Sequence, residues 1–177
     1  MEHPRTETPT KEALLKTITF AVPCYNSTAY MDHCVETLLA CGEDIEILLV
    51  DDGSTKDDTA AICDRWQNEH PDIVRAIHQE NKGHGGAVNT GIAAATGMYV
   101  KVVDADDWVD PQAIDTVLAT LRAQHDTVEP IDMLVTNYVY DKVAKRHKTV
   151  VNFRRVMEAG RVLGWDDLGR FGLAQYI

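Results

Sequence analysis

The sequence predicts an α/β fold, a mostly parallel sheet with helices on both faces, and three observations carry that expectation. Four short apolar runs recur along the chain: "ITFAV" from Ile18, "IEILLV" from Ile45, "IVRAIH" from Ile73 and "MYVKVV" from Met98. Segments of helical periodicity separate them. Each run then passes directly into a polar segment: "PCYN" at Pro23, "DDGS" at Asp51, "QENKGHGG" at Gln79 and "DADD" at Asp104. Near-continuous apolar strands joined by helical crossovers imply a parallel sheet covered on both sides. With 177 residues, 45% of them apolar, there is material for about one domain with its own core.

Taken in order, Met31, Cys34, Val35 and Leu38 follow the i, i+3, i+4, i+7 spacing of a buried helical face after the first strand, and Gly42 suits its C-terminal cap. A second helix is expected to open at Ser54 or Thr55 with Asp57 and Asp58 in its first turn. It would bury Ile62 and Trp66 and stop before Pro71. The third, about 85–96, is rich in Ala and Gly, as a helix pressed against a sheet would be, and Gly97 ends it. The fourth has Asp110 as N-cap and Pro111 at the first helical position, followed by Ile114, Val117, Leu118 and Leu121. After Pro130 the pattern shifts to the alternating "DMLVTNYVYDKV" and then "KRHKTVVNFRR", which reads as a strand leading into a hairpin or an edge excursion. Residues 1–16 read as an N-terminal arm and 17–177 as the domain.

Composition excludes some functions. A formal charge of −11 is wrong for sequence-independent nucleic-acid binding, which depends on Lys and Arg displacing phosphate counterions. Cys24, Cys34, Cys41 and Cys63 contain no C-x-x-C pair and read as free thiols of a reducing compartment. No apolar run is long enough for a membrane span, and the N-terminus has no signal-peptide core. The chain is expected to be cytoplasmic.

If the strands are parallel, all four polar segments emerge at one carboxyl edge, where open α/β sheets bind ligands. The acids are the sharpest signal there. Asp104 and Asp106, with only Ala105 between them, would face one way in extended geometry and could share a hard divalent ion, Mg²⁺ or Mn²⁺, completed by water and substrate phosphates. Such an ion would explain why three carboxylates, with Asp107, crowd one strand end. The alternative is that one caps the turn at Asp110 and the others are solvated. "DDGST" puts a carboxylate at another strand end, able to accept from a base N–H or ribose hydroxyl, although Asp-Gly-Ser is also ordinary turn chemistry. "NKGHGGAVNTG" offers Lys82 with Gly83, Gly85, Gly86 and Gly91 at a helix N-terminus, a natural phosphate cradle that fits neither the Walker nor the dinucleotide pattern. His84 is a ligand candidate or a loop histidine with one hydrogen bond. Tyr25 could stack on a base or pack as a lid.

In order, "VPCYN", "LLVDDGSTKDD", "NKGHGGAVNTG" and "VVDADDWVDP" resemble the nucleotide-sugar-binding half of family 2 glycosyltransferases, the inverting enzymes of GT-A (Rossmann-like) fold, over about 18–121. The resemblance implies a transferase moving a sugar from a nucleotide-diphosphate donor, a UDP-sugar first among them, to an acceptor hydroxyl with inversion. It assigns Pro23 and Tyr25 to the base pocket, Asp52 to the base, Lys82 and Gly83 to the nucleotide border, Asp104 to the ribose or metal side and Asp106 to a Mn²⁺ or Mg²⁺ ion. It also implies a hexosyltransferase type working on polysaccharide or cell-envelope glycan, with a glycan or lipid-linked acceptor. The family's catalytic base lies downstream of the D-x-D segment. The late pair Asp166 and Asp167 does not match its motif, so the base is expected beyond Ile177 and this chain is expected to be the donor-binding part of a longer enzyme. The basic cluster Lys142, Lys145, Arg146, Lys148, Arg154 and Arg155 would face an anionic acceptor, a lipid surface at the inner face of the membrane, or solvent.

Three rivals remain. A non-enzymatic nucleotide-sugar-binding module would keep the same edge. A phosphorylation-receiver domain shares the acidic tips but pairs its acids on the first strand and has no use for "NKGHGG". A phosphoaspartate phosphatase would want D-x-D-x-[TV], where Trp108 stands instead.

Overall fold

The computed structural model describes residues 16–141, 148–155 and 157–168, which fall in two compact units, 1–126 and 127–177. The expected N-terminal arm lies almost wholly outside the described residues.

The first unit runs β1 (Ile18–Cys24), α1 (Met31–Leu39), β2 (Ile45–Asp51), α2 (Thr59–Glu69), β3 (Val74–His78), α3 (His84–Ala94), β4 (Tyr99–Val102) and α4 (Pro111–Arg122). Its four strands form one sheet in the order β3-β2-β1-β4, every neighbour parallel. Every residue of β1 and β2 is buried. Because successive side chains of a strand point to opposite faces, a strand buried throughout must be covered on both. The chain therefore forms the α/β architecture that its apolar runs predict. Phe20, Val22, Ile47 and Leu49 are fully enclosed, α2 packs on β2 and β3, and α3 packs on β1 and β2.

The expected helical faces are largely those observed. Met31, Cys34, Val35 and Leu38 are the buried residues of α1. In α4, Asp110 caps as predicted, its carboxylate accepting from the N–H groups of Gln112 and Ala113 at 3.0 and 2.9 Å. The second helix differs. It starts at Thr59 rather than Ser54 or Thr55, and the intervening segment is a loop pinned by side chains. Asp51 accepts from Ser54 N–H, Asn26 Oδ1 accepts from Thr55 and Lys56 N–H, and Asp57 accepts from Thr59 N–H. Asp57 and Asp58 thus precede the first turn, and Cys63 rather than Ile62 joins Trp66 in the core. The third helix ends at Ala94, before the expected Thr96, and Gly91 within it lies where a Cβ would meet the Ala21 Cβ at 2.8 Å. That close approach is why the segment is built of small residues.

In the second unit, β5 (Tyr138–Tyr140) and β6 (Thr149–Val151) form the antiparallel hairpin predicted after Pro130, though only three residues of the alternating stretch are strand. A single 3-10 turn, Phe153–Arg155, and a short α5, Trp165–Leu168, follow. Lys142, Lys145 and Arg146 of the basic cluster lie outside the described residues. Lys148 pairs with Asp141 at 2.6 Å.

Candidate functional site

Register brings the polar tips together. Cys24 pairs with Asp51, and Asp51 with His78, so β1, β2 and β3 end level. The chain lays down β1, β2 and β3 outward and then returns to place β4 on the other side of β1. Ligands of open α/β sheets bind outside the carboxyl ends at such a reversal. A cavity of about 500 Å³ opens there, within the range of small-molecule sites.

Of the residues singled out in the sequence, Pro23, Tyr25, Asp52, Gly83, Asp104 and Asp106 all line it, as does His84. They come from the end of β1, the connections that follow β1, β2, β3 and β4, and the start of α3. Lys82 is not among the lining residues. It is exposed, and its backbone N–H donates to Asp52 Oδ1 at 2.8 Å.

Each tip is held in a definite shape. Asn26 follows Tyr25 with a φ of 50°, a left-handed conformation that Asn tolerates better than most residues. Its N–H donates to Ser54 Oγ at 3.0 Å while its side chain takes Thr55 and Lys56, which ties the β1 tip to the β2 tip. Gly83, at φ 76°, is the N-cap of α3 and turns the chain so that the first helical turn, with His84 and Ala87, reaches the cavity.

Asp52 is 2% exposed, yet its carboxylate is well supplied with donors: Gln79 Nε2 at 2.6 Å and Lys82 N–H at 2.8 Å both reach Oδ1. Burial pushes its pKa up. The N–H groups of Lys82 and Gly83, the Gln79 amide and the Lys82 charge outweigh burial and hold the carboxyl below its ordinary range. Asp52 is a buried anion in the cavity wall.

The acidic segment is a turn rather than the extended strand end expected. β4 stops at Val102, the Val103 N–H still donates to Ala21 O at 3.0 Å, and the chain then closes with Asp107 N–H donating to Asp104 O at 2.9 Å. The turn nevertheless leaves both Asp104 and Asp106 on the cavity wall, with Ala105 buried between them. Asp107 records the crowding. Burial, then the charges of Asp106 and Asp104, push its carboxyl up, opposed only in part by Lys101. His84 Nε2 stands 3.8 Å from Asp104 Oδ1. Among the described residues no group of three or more His, Cys, Asp or Glu is arranged to hold a metal ion.

Sequence reasoning missed Asn26, Tyr30, Gln79 and Thr90. Tyr30, 61% exposed, lines the cavity, while Gln79 and Thr90 stand behind Asp52. Lone polar residues in loops and on a helix of low polarity carry no periodic signal that could have marked them.

A parallel α/β sheet with a buried carboxylate, a glycine loop and paired acids converging on its switch point defines a protein of the GT-A class. The chain belongs to glycosyl transferase family 2, whose family model matches residues 19–161. It is 40% identical over 128 residues to the glycosyltransferase GlyG of Streptococcus pneumoniae serotype 4, covering 71% of this chain and 40% of that protein. Two solved structures share its fold. One is TarS 1–349 of S. aureus in complex with UDP, with a TM-score of 0.52 and 26% identity over 61% of this chain and 32% of that one. The other is the mannosyltransferase PcManGT of Pyrobaculum calidifontis in complex with GDP-Man and Mn²⁺, with a TM-score of 0.53 and 28% identity over 63% and 33%. The chain thus spans well under half the length of each.

Proposed function

We propose that this chain is the donor-binding part of a glycosyltransferase that moves a sugar from a nucleotide-diphosphate donor to an acceptor hydroxyl with inversion, and that donor binding depends on a divalent cation. The observation that carries this reading is the convergence of Tyr25, Asp52, Gly83, Asp104 and Asp106 on one cavity at the sheet's switch point. Tyr25, 48% exposed on the cavity wall, offers a face on which a base can stack, and Pro23 lines the same pocket. The ionised Asp52 accepts a base N–H. The α3 N-terminus behind Gly83 directs its backbone donors and dipole toward the diphosphate.

The donor set on the cavity wall fits Mn²⁺ or Mg²⁺. Two carboxylates, Asp104 and Asp106, are what such ions need when substrate phosphates and water fill the remaining positions. Bound there, the ion supplies charge neutralisation for the departing nucleoside diphosphate. Asp104, by its position nearer the strand, orients the ribose or shares the ion. Displacement at the anomeric carbon also requires a base for the acceptor hydroxyl, and we assign none to this chain. Donor nucleotides bound by TarS and by the mannosyltransferase support the donor class. UDP and GDP are therefore the first candidates.

The acceptor class we infer is a glycan or lipid-linked hydroxyl. Four free and buried cysteines suit a cytoplasmic protein, and the exposed Arg154 suits contact with the inner face of a membrane. Among the described residues, no helix is long and apolar enough to cross one. The test is a thermal-shift panel of nucleoside diphosphates and their sugars with and without Mn²⁺. A metal-dependent rise in melting temperature with one nucleotide supports the reading, and no rise with any of them refutes it. A binding module without transfer would show the same rise but no turnover in the full-length protein.

A further inference from the structure

Asp52 does not face the cavity alone. Its Oδ1 receives Gln79 Nε2 at 2.6 Å, and the other end of that same amide, Oε1, receives the Thr90 hydroxyl at 2.6 Å. Gln79 lies just past the end of β3, and Thr90 is on α3, so the relay joins the β2 tip, the glycine loop's entrance and the helix behind it. Gln79 and Thr90 are half-buried and neither belongs to the cavity lining. Polarity runs one way along this chain. An amide can present either its N–H or its carbonyl to a neighbour, but an ionised carboxylate accepts only from the N–H, and a carbonyl turned toward it would be repelled. Asp52 therefore selects the orientation in which Nε2 meets it, and the Thr90 hydroxyl, donating to the Oε1 left on the other side, pins the amide there.

We propose that Gln79 and Thr90 are positioning residues that set base selectivity: Thr90 fixes the Gln79 amide, and Gln79 holds Asp52 as an oriented acceptor. The charged neighbour acting on this carboxylate is Lys82, whose backbone N–H shares Oδ1 with Gln79. A carboxylate held this way favours bases that offer a ring N–H, as uracil and guanine do. It disfavours those that offer a bare ring nitrogen, as cytosine and adenine do, because two acceptors would then face each other. The inference rests on the donor-binding reading above, and it goes further by naming two residues outside the cavity as determinants of which base enters.

The experiment is calorimetry of the chain with Mn²⁺ and UDP or GDP, each beside its analogue methylated at the ring N–H, N3 in uracil and N1 in guanine. Wild type is expected to prefer the unmethylated nucleotide. Thr90→Val, nearly isosteric but unable to donate, should lose roughly three- to tenfold in affinity for it, the worth of one hydrogen bond, while its affinity for the methylated analogue stays unchanged. Thr90→Ser should restore the preference. Gln79→Leu, should Thr90→Val fold poorly, must show the same loss confined to the unmethylated ligand. Equal losses for both ligands would mean a merely structural role and overturn the inference, as would wild-type selectivity in either variant. If wild type binds UDP or GDP but ignores methylation, the inference fails and the donor reading survives. If wild type binds no nucleotide, both fail.

Discussion

Gly91 of α3 lies against Ala21 of β1 so closely that a methyl group on Gly91 would stand 2.8 Å from the Ala21 Cβ and 3.5 Å from Val50 Cγ2. Neither obstacle can swing away, since both Ala21 and Val50 are buried in the two central strands. Gly91→Ala should force α3 off the sheet and cost about 1–3 kcal/mol of stability, the usual range for overpacking a close contact. Urea denaturation would show this as a lower midpoint at unchanged slope. An unchanged midpoint would mean that α3 does not seat where the contact requires.

The paired acids lead to a second expectation. Asp106→Asn removes one of the two carboxylates assigned to the ion while relieving charge crowding at Asp107. Without ligands the variant should melt at the wild-type temperature or slightly above it, yet the stabilisation that Mn²⁺ adds to nucleotide binding should disappear. Calorimetry with unchanged Mn²⁺-UDP or Mn²⁺-GDP affinity would count against Asp106 as a metal ligand. Opposite signs for stability and binding separate a functional acid from a structural one.

At the other edge of the sheet, Arg122 donates to Asp44, and Thr17 Oγ1 adds a bond at 2.6 Å. The Arg122 guanidinium, with Thr17, outweighs burial and holds the Asp44 carboxyl at about 2 against an ordinary value of 3.8. Because the folded state lowers this pKa, the stabilisation is complete above the unfolded value and fades as pH falls toward about 2. Arg122 is half-exposed, so solvent screening trims the pair, and Arg122→Ala should cost about 1–2 kcal/mol at neutral pH. Denaturation curves of the two proteins should converge as the pH falls from about 4 to about 2. A gap that persists at the acid end would assign the effect to packing of the arginine stem instead.

His78 behaves in the opposite sense. Its ring bridges Asp64 at 2.9 Å and Asp51 at 3.2 Å, and these two carboxylates, Asp64 first, raise its pKa despite partial burial. Stability from a raised pKa is fully present below the unfolded value and is lost as pH rises through the folded one. His78→Gln should therefore lower the melting temperature more at pH 5.5 than at pH 8.5, roughly one pH unit or more either side of the histidine range. A deficit independent of pH would show that the bridge works through neutral hydrogen bonds.

Much of this architecture was legible before any coordinates. The four apolar runs became the four strands, Asp110 and Pro111 began α4 where expected, and six of the seven residues assigned to the nucleotide and metal line one cavity. The exceptions have physical causes. Lys82 contributes a backbone N–H to Asp52 and is not a lining residue of the cavity, whereas its neighbours Gly83 and His84 are. α2 starts later than expected, and the segment before it is tied to the β1 tip through Asn26, a partner on another loop that no local pattern shows.

Hydrophobic burial is collective and repeats with the period of the backbone, so the chain itself specified its strands, its helices and the edge where its polar tips gather. A polar side chain needs one partner at one distance, and no spacing rule names it. Thr90 reaches Gln79, Gln79 reaches Asp52 across 27 positions, and Asn26 reaches Ser54 across 28, only because parallel pairing brings the strand ends level. Which carboxylate is held ready, and by what, was left for the folded sheet to decide.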